Sequence, residues 1–314
     1  MINDVVNKYY DRVAVVCKKK AGITYKDLDR TSNAIIAFLY DSGLKKGDKI
    51  ALFLGNYHHY REMFWVAGKG GFVLIPLDGR LKPKEVLYII NNSEAKCLVV
   101  SKEFESALDE IKGDLEFTRV FCTIDPDMYD YIYLDDLIKV YPTDNPNVSL
   151  AEDDLVWIKY TSSKRDLAKG AMFTQGAAGA MAEINVKFFM NSGNFNENIR
   201  ALQVVPSYSF MGIIWDIAYQ KCGALTVIID GSNLSDIISF IEIYKIAHCY
   251  IPSSMLKLIV NIPHLNKYDL SSLKNITYGP LAMLARDLIK GIEKFGPIFT
   301  QAYCTLETGV LRIL

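Results

Sequence analysis

Segments with helical periodicity alternate with short apolar segments rich in β-branched residues along most of this chain. Amphipathic stretches at Thr24–Ser42 and Pro83–Asn91 alternate with strand-like runs at Lys49–Leu54 and Cys97–Val100. The pattern returns after residue 201, with a predicted helix at Leu234–Tyr244. Such alternation predicts mostly parallel sheet flanked by helices, an α/β fold. With 314 residues, the chain is long enough for two lobes of this kind.

One stretch, Asp153–Ala180, combines a strand, a polar loop and a helix. Leu155–Tyr160 is an apolar run typical of a buried strand, and Thr161–Lys169 is a short loop of Ser, Thr, Lys and Arg. A second short apolar piece follows Gly170, and Thr174 can cap a helix rich in Ala and Gly. Strand, small-residue loop and helix in this order are typical of phosphate-binding sites.

Composition excludes several other classes of function. Net charge is −1, and no basic interleaving of aromatic residues indicates a nucleic-acid surface. No apolar run approaches the ~18 residues of a membrane-spanning helix, and the six cysteines lack C-x-x-C spacing, so we expect a cytoplasmic protein with reduced thiols. We interpret the four histidines, which show no metal-ligand spacing, as core or surface residues: His58, His59, His248 and His264.

The loop stretch resembles the phosphate-binding signature of the adenylate-forming (AMP-binding) superfamily, Y-T-S-G-T-T-G-x-P-K-G-V-x-x-T-H. That superfamily includes acyl-CoA synthetases, adenylation domains of peptide synthetases, and luciferases. The matching residues are Tyr160, Thr161, Ser162, Lys169, Gly170 and Thr174. The differing ones are Ser163, Lys164, Arg165 and Asp166 in place of G-T-T-G, Ala168 in place of proline, and Gln175 in place of histidine.

Two later segments carry the same resemblance. Gln301–Gly309 is similar to the family's Q-G-Y-G-x-T-E segment; it keeps Tyr303 and Glu307, while Cys304 replaces glycine and Leu306 replaces threonine. The segment beginning at Pro206 is similar to the family's P-x-x-H-x-x-G, with Ser209 in place of the histidine. The resemblance implies the large N-terminal domain of the family without its C-terminal lid. We expect a first α/β lobe at 1–185, with the phosphate loop at 160–170, and a second at 186–314.

The resemblance also implies a role for each matching position. Lys169 and Glu307 would be catalytic, with Glu307 also a magnesium ligand. The implied nucleotide-binding residues are Thr161, Ser162, Ser163, Lys164, Gly170, Gly279 and Tyr303. The implied substrate pocket contains Tyr208, Ser209, Gly212 and Trp215. The cofactors would be ATP or AMP with Mg²⁺ if binding or activity is retained, and none otherwise. The partners would be a small carboxylic acid and either a separate lid chain or a carrier protein, without nucleic acid or a membrane span.

The replaced residues predict weak chemistry. A hydroxyl that contacts a charged phosphate contributes roughly 1.5–3 kcal/mol, so leucine at 306 is expected to slow catalysis about ten- to a hundred-fold. Asp166 adds a negative charge beside the expected anion. We therefore expect a truncated domain with weak or no carboxylate–AMP ligase activity, acting as a binding or interaction module. The alternatives are a fatty or aromatic acid ligase completed by a separate lid polypeptide, and a fragment of a longer protein.

Purely structural interpretations of the same residues stay open. The helical spacing of the aromatic residues around Trp215 also suits a packed core. Tyr303 can be an aromatic packed at a strand end, and Glu307 a surface or capping carboxylate. The charged loop can be a solvated turn.

Overall fold

The computed structural model describes residues 2–17, 20–161, 167–193, 198–229, 233–306 and 309–313. They belong to two compact units. The first unit is Tyr25–Gly179, and the second unit combines Asn3–Thr24 with Ala180–Leu314. Among the described residues, no helix has both the length and the apolar character needed to cross a membrane.

Strands and helices alternate through both units. The strands are β1 (Val13–Cys17), β2 (Lys20–Thr24), β3 (Lys49–Phe53), β4 (Val73–Pro76), β5 (Ala95–Val100), β6 (Val120–Thr123), β7 (Ile132–Tyr133), β8 (Leu155–Tyr160), β9 (Gly170–Thr174), β10 (Arg200–Gln203), β11 (Leu225–Ile228), β12 (His248–Pro252), β13 (Asn275–Gly279), β14 (Phe299–Thr305) and β15 (Gly309–Ile313). The α-helices are α1 (Ile2–Tyr9), α2 (Tyr25–Asp41), α3 (His59–Gly70), α4 (Pro83–Asn92), α5 (Glu105–Asp109), α6 (Leu134–Leu137), α7 (Gln175–Gly193), α8 (Phe210–Lys221), α9 (Leu234–Tyr244), α10 (Ser253–Ile259) and α11 (Ala285–Phe295).

The first unit is organised around a sheet with the strand order β7-β6-β5-β3-β4-β8-β9. Neighbouring strands run parallel from β7 to β8, and the edge strand β9 runs antiparallel to β8. Ile50–Phe53 in the central strand β3 is buried at every position. A parallel strand covered on both faces needs apolar residues without alternation, which is why this stretch forms a continuous apolar run. The predicted parallel sheet is confirmed here.

The helices of the first unit bury the faces that their sequence pattern indicates. In α2, the residues Leu28, Ile35 and Leu39, which lie on one face of the predicted helix, are all buried. Helix α3 ends at Gly70 and is followed by the C-cap residue Gly71, whose φ of 70° places it in the left-handed region. Glycine adopts this conformation without the steric cost of a side chain, so it is suited to ending the helix.

The second unit contains a sheet with the order β15-β14-β13-β12-β10-β11-β1-β2. Its strands are parallel from β14 to β1, and the two outer strands run antiparallel to their neighbours. The helix α9 has the bounds that its apolar periodicity predicts. Its buried residues Ile237, Ile238 and Ile241 pack in one core with Val227 and Ile251 of the sheet.

The N-terminal segment lies elsewhere than we expected. Strand β1 pairs in parallel with β11, with Val15 opposite Thr226, and β2 pairs antiparallel with β1. Asn3–Thr24 therefore belongs to the second unit, whereas we expected it in a first lobe at 1–185. The boundary between the units falls at Gly179 and Ala180, inside α7. The five residues of β1 carry no local sequence signal that their parallel partner is β11, far later in the chain.

Thr174 and Ser253, each of which precedes a predicted helix and can act as its N-cap, have different roles in the structure. Thr174 Oγ1 accepts a hydrogen bond from the Ala177 amide at 3.2 Å, as predicted. Ser253, predicted to cap a helix running to Ile262, instead lies inside α10, which ends at Ile259. Its hydroxyl donates to the carbonyl of Leu281. The Leu281 carbonyl comes from a remote segment of the chain, so the sequence alone does not reveal that the Ser253 hydroxyl donates to it.

Candidate functional site

Strands β8 and β9 form a hairpin whose loop carries the predicted phosphate-binding residues. Tyr160 pairs with Gly170, and the Thr161 amide donates to the Lys169 carbonyl at 2.9 Å. The Thr161 hydroxyl lies 3.4 Å from both the amide and the carbonyl of Lys169. These two residues thus hold the ends of the loop together, while the Lys169 side chain is exposed. The loop residues Ser162, Ser163, Lys164, Arg165 and Asp166 lie outside the described residues.

Two residues that match the family's loop motif are fixed by packing. A Cβ added to Gly170 would lie 2.6 Å from Ile158 Cγ2 and 3.2 Å from the Tyr160 ring. Tyr160 in turn donates from its hydroxyl to Asn92 Oδ1 at 2.7 Å. Burial, followed by the influence of Tyr88, raises the pKa of Tyr160 to about 12, so the hydroxyl keeps its proton near neutral pH. Neither role requires a nucleotide.

Lys159 is a titratable group at the base of this hairpin that the sequence analysis did not identify. Its ammonium donates to the Pro76 carbonyl at 3.2 Å. Burial lowers the pKa of Lys159 to about 8; Asp78 acts in the opposite direction and Arg80 in the same direction. Near pH 8 the side chain is therefore only partly protonated. The available signal was a lysine within an otherwise apolar strand.

Ser209 and Gly212 form the start of α8 in the second unit. The Ser209 hydroxyl accepts from the Gly212 amide at 3.0 Å and donates to the Pro206 carbonyl at 2.6 Å. A Cβ on Gly212 would lie 2.1 Å from the Pro206 carbonyl oxygen. The helix can approach this segment so closely only because residue 212 has no side chain. Serine at 209 therefore acts as a helix N-cap in the place where the family motif has histidine.

Tyr208 and Trp215, the other predicted pocket residues, have different surroundings. Trp215 is 1% exposed, and its ring centroid lies 4.7 Å from that of His248 and 6.2 Å from that of Tyr250. These contacts fit the core interpretation left open above. Tyr208 is partly exposed in the turn that precedes α8.

A cavity of 330 Å³ opens in the second unit between the start of α8 and the end of β14. Its lining is largely apolar and includes Ser209, Phe210, Met211, Tyr250, Cys304 and Leu306. Burial raises the pKa values of both Tyr250 and Cys304, so both groups are uncharged near neutral pH. The cavity can therefore accommodate an apolar body, with the hydroxyl of Ser209 among its few polar groups. Of the four predicted pocket residues, Ser209 lines it.

The predicted nucleotide-binding residues Gly279 and Tyr303 lie at the ends of neighbouring strands. A Cβ on Gly279, the last residue of β13, would lie 2.1 Å from the Ala302 carbonyl oxygen in β14. Tyr303 is 46% exposed and pairs with Leu311 of β15. Its ring is accessible for stacking on a planar group. Glu307, the predicted catalytic carboxylate and magnesium ligand, lies outside the described residues.

A separate polar cluster occurs at the start of α3 in the first unit. His58, His59, Glu62 and Asp135 each place one ligand atom within 4.8 Å of the others. Both histidines are buried. Their association with carboxylates was not predicted, because the four histidines show no metal-ligand spacing in the sequence. His58 and Glu62 are four residues apart at the beginning of a helix, and this spacing was the available signal. Asp135 comes from α6 and joins the group only through the fold.

Comparison with known proteins gives a consistent family assignment. Residues 2–312 match the family described as AMP-binding enzyme. The 4-coumarate–CoA ligase CCL1 of Humulus lupulus is 27% identical over 277 residues, which are 85% of this chain and 50% of that protein. The fatty acid–[acyl-carrier-protein] ligase ScoC of Streptomyces coeruleorubidus is 24% identical over 296 residues, 94% of this chain and 56% of that protein. The chain thus spans about half the length of these relatives.

Solved structures agree with the fold. The crystal structure of the N-terminal domain of FACL13 from Mycobacterium tuberculosis superposes with a TM-score of 0.87 at 19% identity, covering 99% of this chain and 77% of that domain. At this level of identity the similarity establishes the fold alone. The prediction of two mostly parallel sheets flanked by helices, as in the N-terminal domain of adenylate-forming enzymes, is confirmed.

Proposed function

This chain belongs to the AMP-binding enzyme family, and we propose that it is the acid- and nucleotide-binding part of an AMP-forming ligase, with weak adenylation chemistry by itself. Its substrate would be a small carboxylic acid with an apolar, aromatic or fatty, body. ATP would supply the AMP group, and Mg²⁺ would neutralise charge on the phosphates. The observation that carries the proposal is the apolar cavity beside Ser209 and Leu306.

The size and lining of the cavity support the class of acid. A volume of 330 Å³ falls within the ~300–1,000 Å³ common for small-molecule sites. Near neutral pH the lining groups Tyr250 and Cys304 carry no charge, which favours an apolar body over the charged amine of an amino acid. The names of the two relatives, a 4-coumarate ligase and a fatty acid ligase, agree with this choice.

The expected weakness of the chemistry rests on Leu306. This side chain lines the cavity at the position where the family motif has a threonine. Leucine offers no hydroxyl to a developing phosphate charge and fills part of the space. Losing one hydrogen bond to a charged group corresponds to roughly a ten- to hundred-fold lower rate.

A restoring substitution tests this proposal. We expect calorimetry to detect binding of 4-coumarate or a medium-chain fatty acid by the wild-type chain. With ATP and Mg²⁺ present, pyrophosphate release should be slow. Leu306→Thr should raise that release about ten- to a hundred-fold while acid affinity changes little. Leu258→Thr, at an exposed leucine in α10, is the matched control and should leave release unchanged.

Two results would contradict the proposal separately. Rapid pyrophosphate release by the wild-type chain, unaffected by Leu306→Thr, would show that the chemistry is intact. Failure of every apolar acid to bind would show that the cavity has another use.

A second candidate is a fully active ligase that is completed by a lid domain on another polypeptide. The exposed Tyr303 and the exposed Lys169 favour it, because both remain accessible for contact with a nucleotide. The acceptor would then be CoA or a carrier-protein thiol. Adding the C-terminal domain of a related ligase in trans should restore acid-dependent pyrophosphate release. Absence of release at saturating substrate concentrations would count against this candidate.

A further inference from the structure

The four polar residues at the start of α3 provide the donor atoms of a transition-metal site. His59 Nε2 lies 3.1 Å from Asp135 Oδ1, and His58 Nε2 lies 3.8 Å from Glu62 Oε1. The two imidazole rings are in contact, with centroids 3.9 Å apart. All four residues belong to the first unit, and none has a part in the proposed ligase chemistry.

The distances suit a small coordination sphere. In a tetrahedral site with Zn–N and Zn–O bonds of ~2.0–2.1 Å, neighbouring ligand atoms are about 3.4 Å apart. The His58 Nε2–Glu62 Oε1 separation of 3.8 Å is close to this value. The His59 Nε2–Asp135 Oδ1 separation of 3.1 Å is also close to it for the arrangement in which Asp135 is a ligand. Since the four ligand atoms all lie within 4.8 Å of one another, modest side-chain rotations would bring them around one ion.

Burial adds a second observation. His58, His59 and Glu62 are 4%, 5% and 2% exposed. His59 directs one ring nitrogen to Asp135, and its other nitrogen, Nδ1, is buried with no hydrogen-bond partner among the described residues. A buried imidazole nitrogen without a partner costs free energy. An ion would satisfy this nitrogen if Nδ1 ligates, and Asp135 would then orient the ring, as carboxylates commonly do for ligating histidines.

The surroundings of Asp135 are also those of a ligating carboxylate. Its second oxygen, Oδ2, accepts a hydrogen bond from the Tyr133 hydroxyl at 3.2 Å. Carboxylates that bind metal ions are typically held by such hydrogen bonds.

The charge balance tolerates a divalent cation. Arg61, buried in the same turn, opposes a bound cation, as does the positive end of the α3 dipole. Glu62 and Asp135 together outweigh the charge of Arg61 by one negative unit when both imidazoles are neutral. Mixed nitrogen and oxygen ligands favour zinc-class ions over Mg²⁺ or Ca²⁺, which prefer all-oxygen sites.

We propose that His58, His59, Glu62 and Asp135 bind one divalent transition-metal ion of the zinc class, with Asp135 serving either as a ligand or as the group that orients His59. The ion fastens α6 to the start of α3 within the first unit. Its role is structural, so its loss weakens the folded state rather than removing a step of the chemistry.

Zinc binding by the untagged, full-length chain tests the proposal. After treatment with a chelator and dialysis, Zn²⁺ is titrated in competition with a chromophoric chelator, and Co²⁺ is added separately to record its visible absorption. We expect one ion per chain, a Co²⁺ spectrum of low coordination number, and a higher melting temperature with Zn²⁺. Asp135→Asn and His59→Asn should each weaken binding at least about tenfold.

The matched control is His264→Asn, at an exposed histidine whose φ of 59° asparagine tolerates well. It should bind Zn²⁺ as the wild type does. Circular dichroism establishes that each variant is folded; if His59→Asn does not fold, Asp135→Asn, at a side chain 26% exposed, decides alone. Less than half an ion per chain in micromolar Zn²⁺, or a folded site variant that binds as tightly as His264→Asn, would overturn the proposal.

Discussion

The hairpin loop of the first unit and the cavity region of the second unit differ in what holds their motif residues in place. In the second unit, Gly212 and Gly279 face backbone carbonyl oxygens at distances that leave no room for a side chain. In the hairpin, the loop is closed by backbone contacts between Thr161 and Lys169, and the Lys169 side chain is exposed. Packing constrains the motif glycines of the cavity region, whereas the exposed Lys169 of the hairpin is constrained mainly by any ligand that it contacts.

This difference changes what a retained motif residue signifies. Gly170, Gly212 and Gly279 match the family, and each is explained by a neighbouring atom that a Cβ would approach within 2.6 Å. The departures from the motif at Ser209, Cys304 and Leu306 line the cavity, where side chains have space. The retained glycines are therefore explained by the packing of the fold. The replaced side chains lie where they would affect binding and catalysis.

Substitution of a packed glycine should change the free energy of unfolding more than any of the lysine and serine substitutions that follow. A small effect would contradict the contrast between the two regions. Gly212→Ala brings a Cβ to 2.1 Å from the Pro206 carbonyl oxygen, so α8 must shift. We expect a loss of about 3 kcal/mol in the free energy of unfolding, measured by urea denaturation. Gly179→Ala, in α7 with no atom within 4 Å of the new Cβ, should stabilise by about 0.5–1 kcal/mol. Equal effects of the two substitutions would contradict the packing argument.

Removing the buried charge at the base of the hairpin should have the next largest effect. Burial lowers the pKa of Lys159 from 10.5 to about 8, which corresponds to about 3 kcal/mol before partial exposure reduces it to about 2. Lys159→Met should therefore stabilise the protein by about 2 kcal/mol at pH 7.

The pH dependence of that effect follows from the direction of the shift. Between about pH 8 and 10.5 the unfolded chain holds a proton on Lys159 that the folded protein has lost, so the wild type gains stability as pH rises through this window. The advantage of Lys159→Met should be constant below pH 8 and disappear by about pH 10.5. Thermal unfolding from pH 6 to 10.5 measures it; a difference independent of pH would rule out the charge as its cause.

Ser209→Ala and Lys169→Ala should have the smallest effects on the free energy of unfolding. The difference between them tests the contrast between the two regions. Ser209→Ala removes the N-cap of α8 and should cost about 1 kcal/mol in the free energy of unfolding. Lys169→Ala, at an exposed side chain, should change it by less than about 0.5 kcal/mol. Urea denaturation of both variants provides the measurement. A larger cost for Lys169→Ala would show that the loop has a packing role after all.

The sequence predicted those parts of the fold whose signals are local. The bounds of α9 match the prediction because its apolar periodicity lies within the element itself. Strand β1 was missed because its partner is β11, about 200 residues later in the chain. The Ser253 cap was wrong for a similar reason, since the carbonyl of Leu281 takes up its hydroxyl.

The candidate site was predictable only in part. The motifs located Ser209 at the cavity and Tyr303 on an accessible strand end, but they did not distinguish the pocket from the core at Trp215. The lowered pKa of Lys159 arises from burial of its ammonium group, which the fold alone determines. Likewise, Asp135 reaches the two histidines through tertiary structure that no spacing in the sequence reveals.

The pairing of β1 with β11 places a constraint on biosynthesis. A ribosome makes Val13–Cys17 before the whole of Tyr25–Gly179, yet the strand that pairs with them in parallel, Leu225–Ile228, is made only after that unit. Strand β1, an apolar segment, therefore has no parallel partner while an entire neighbouring unit is translated. A cell that produces this protein has to keep that segment from aggregating during the delay.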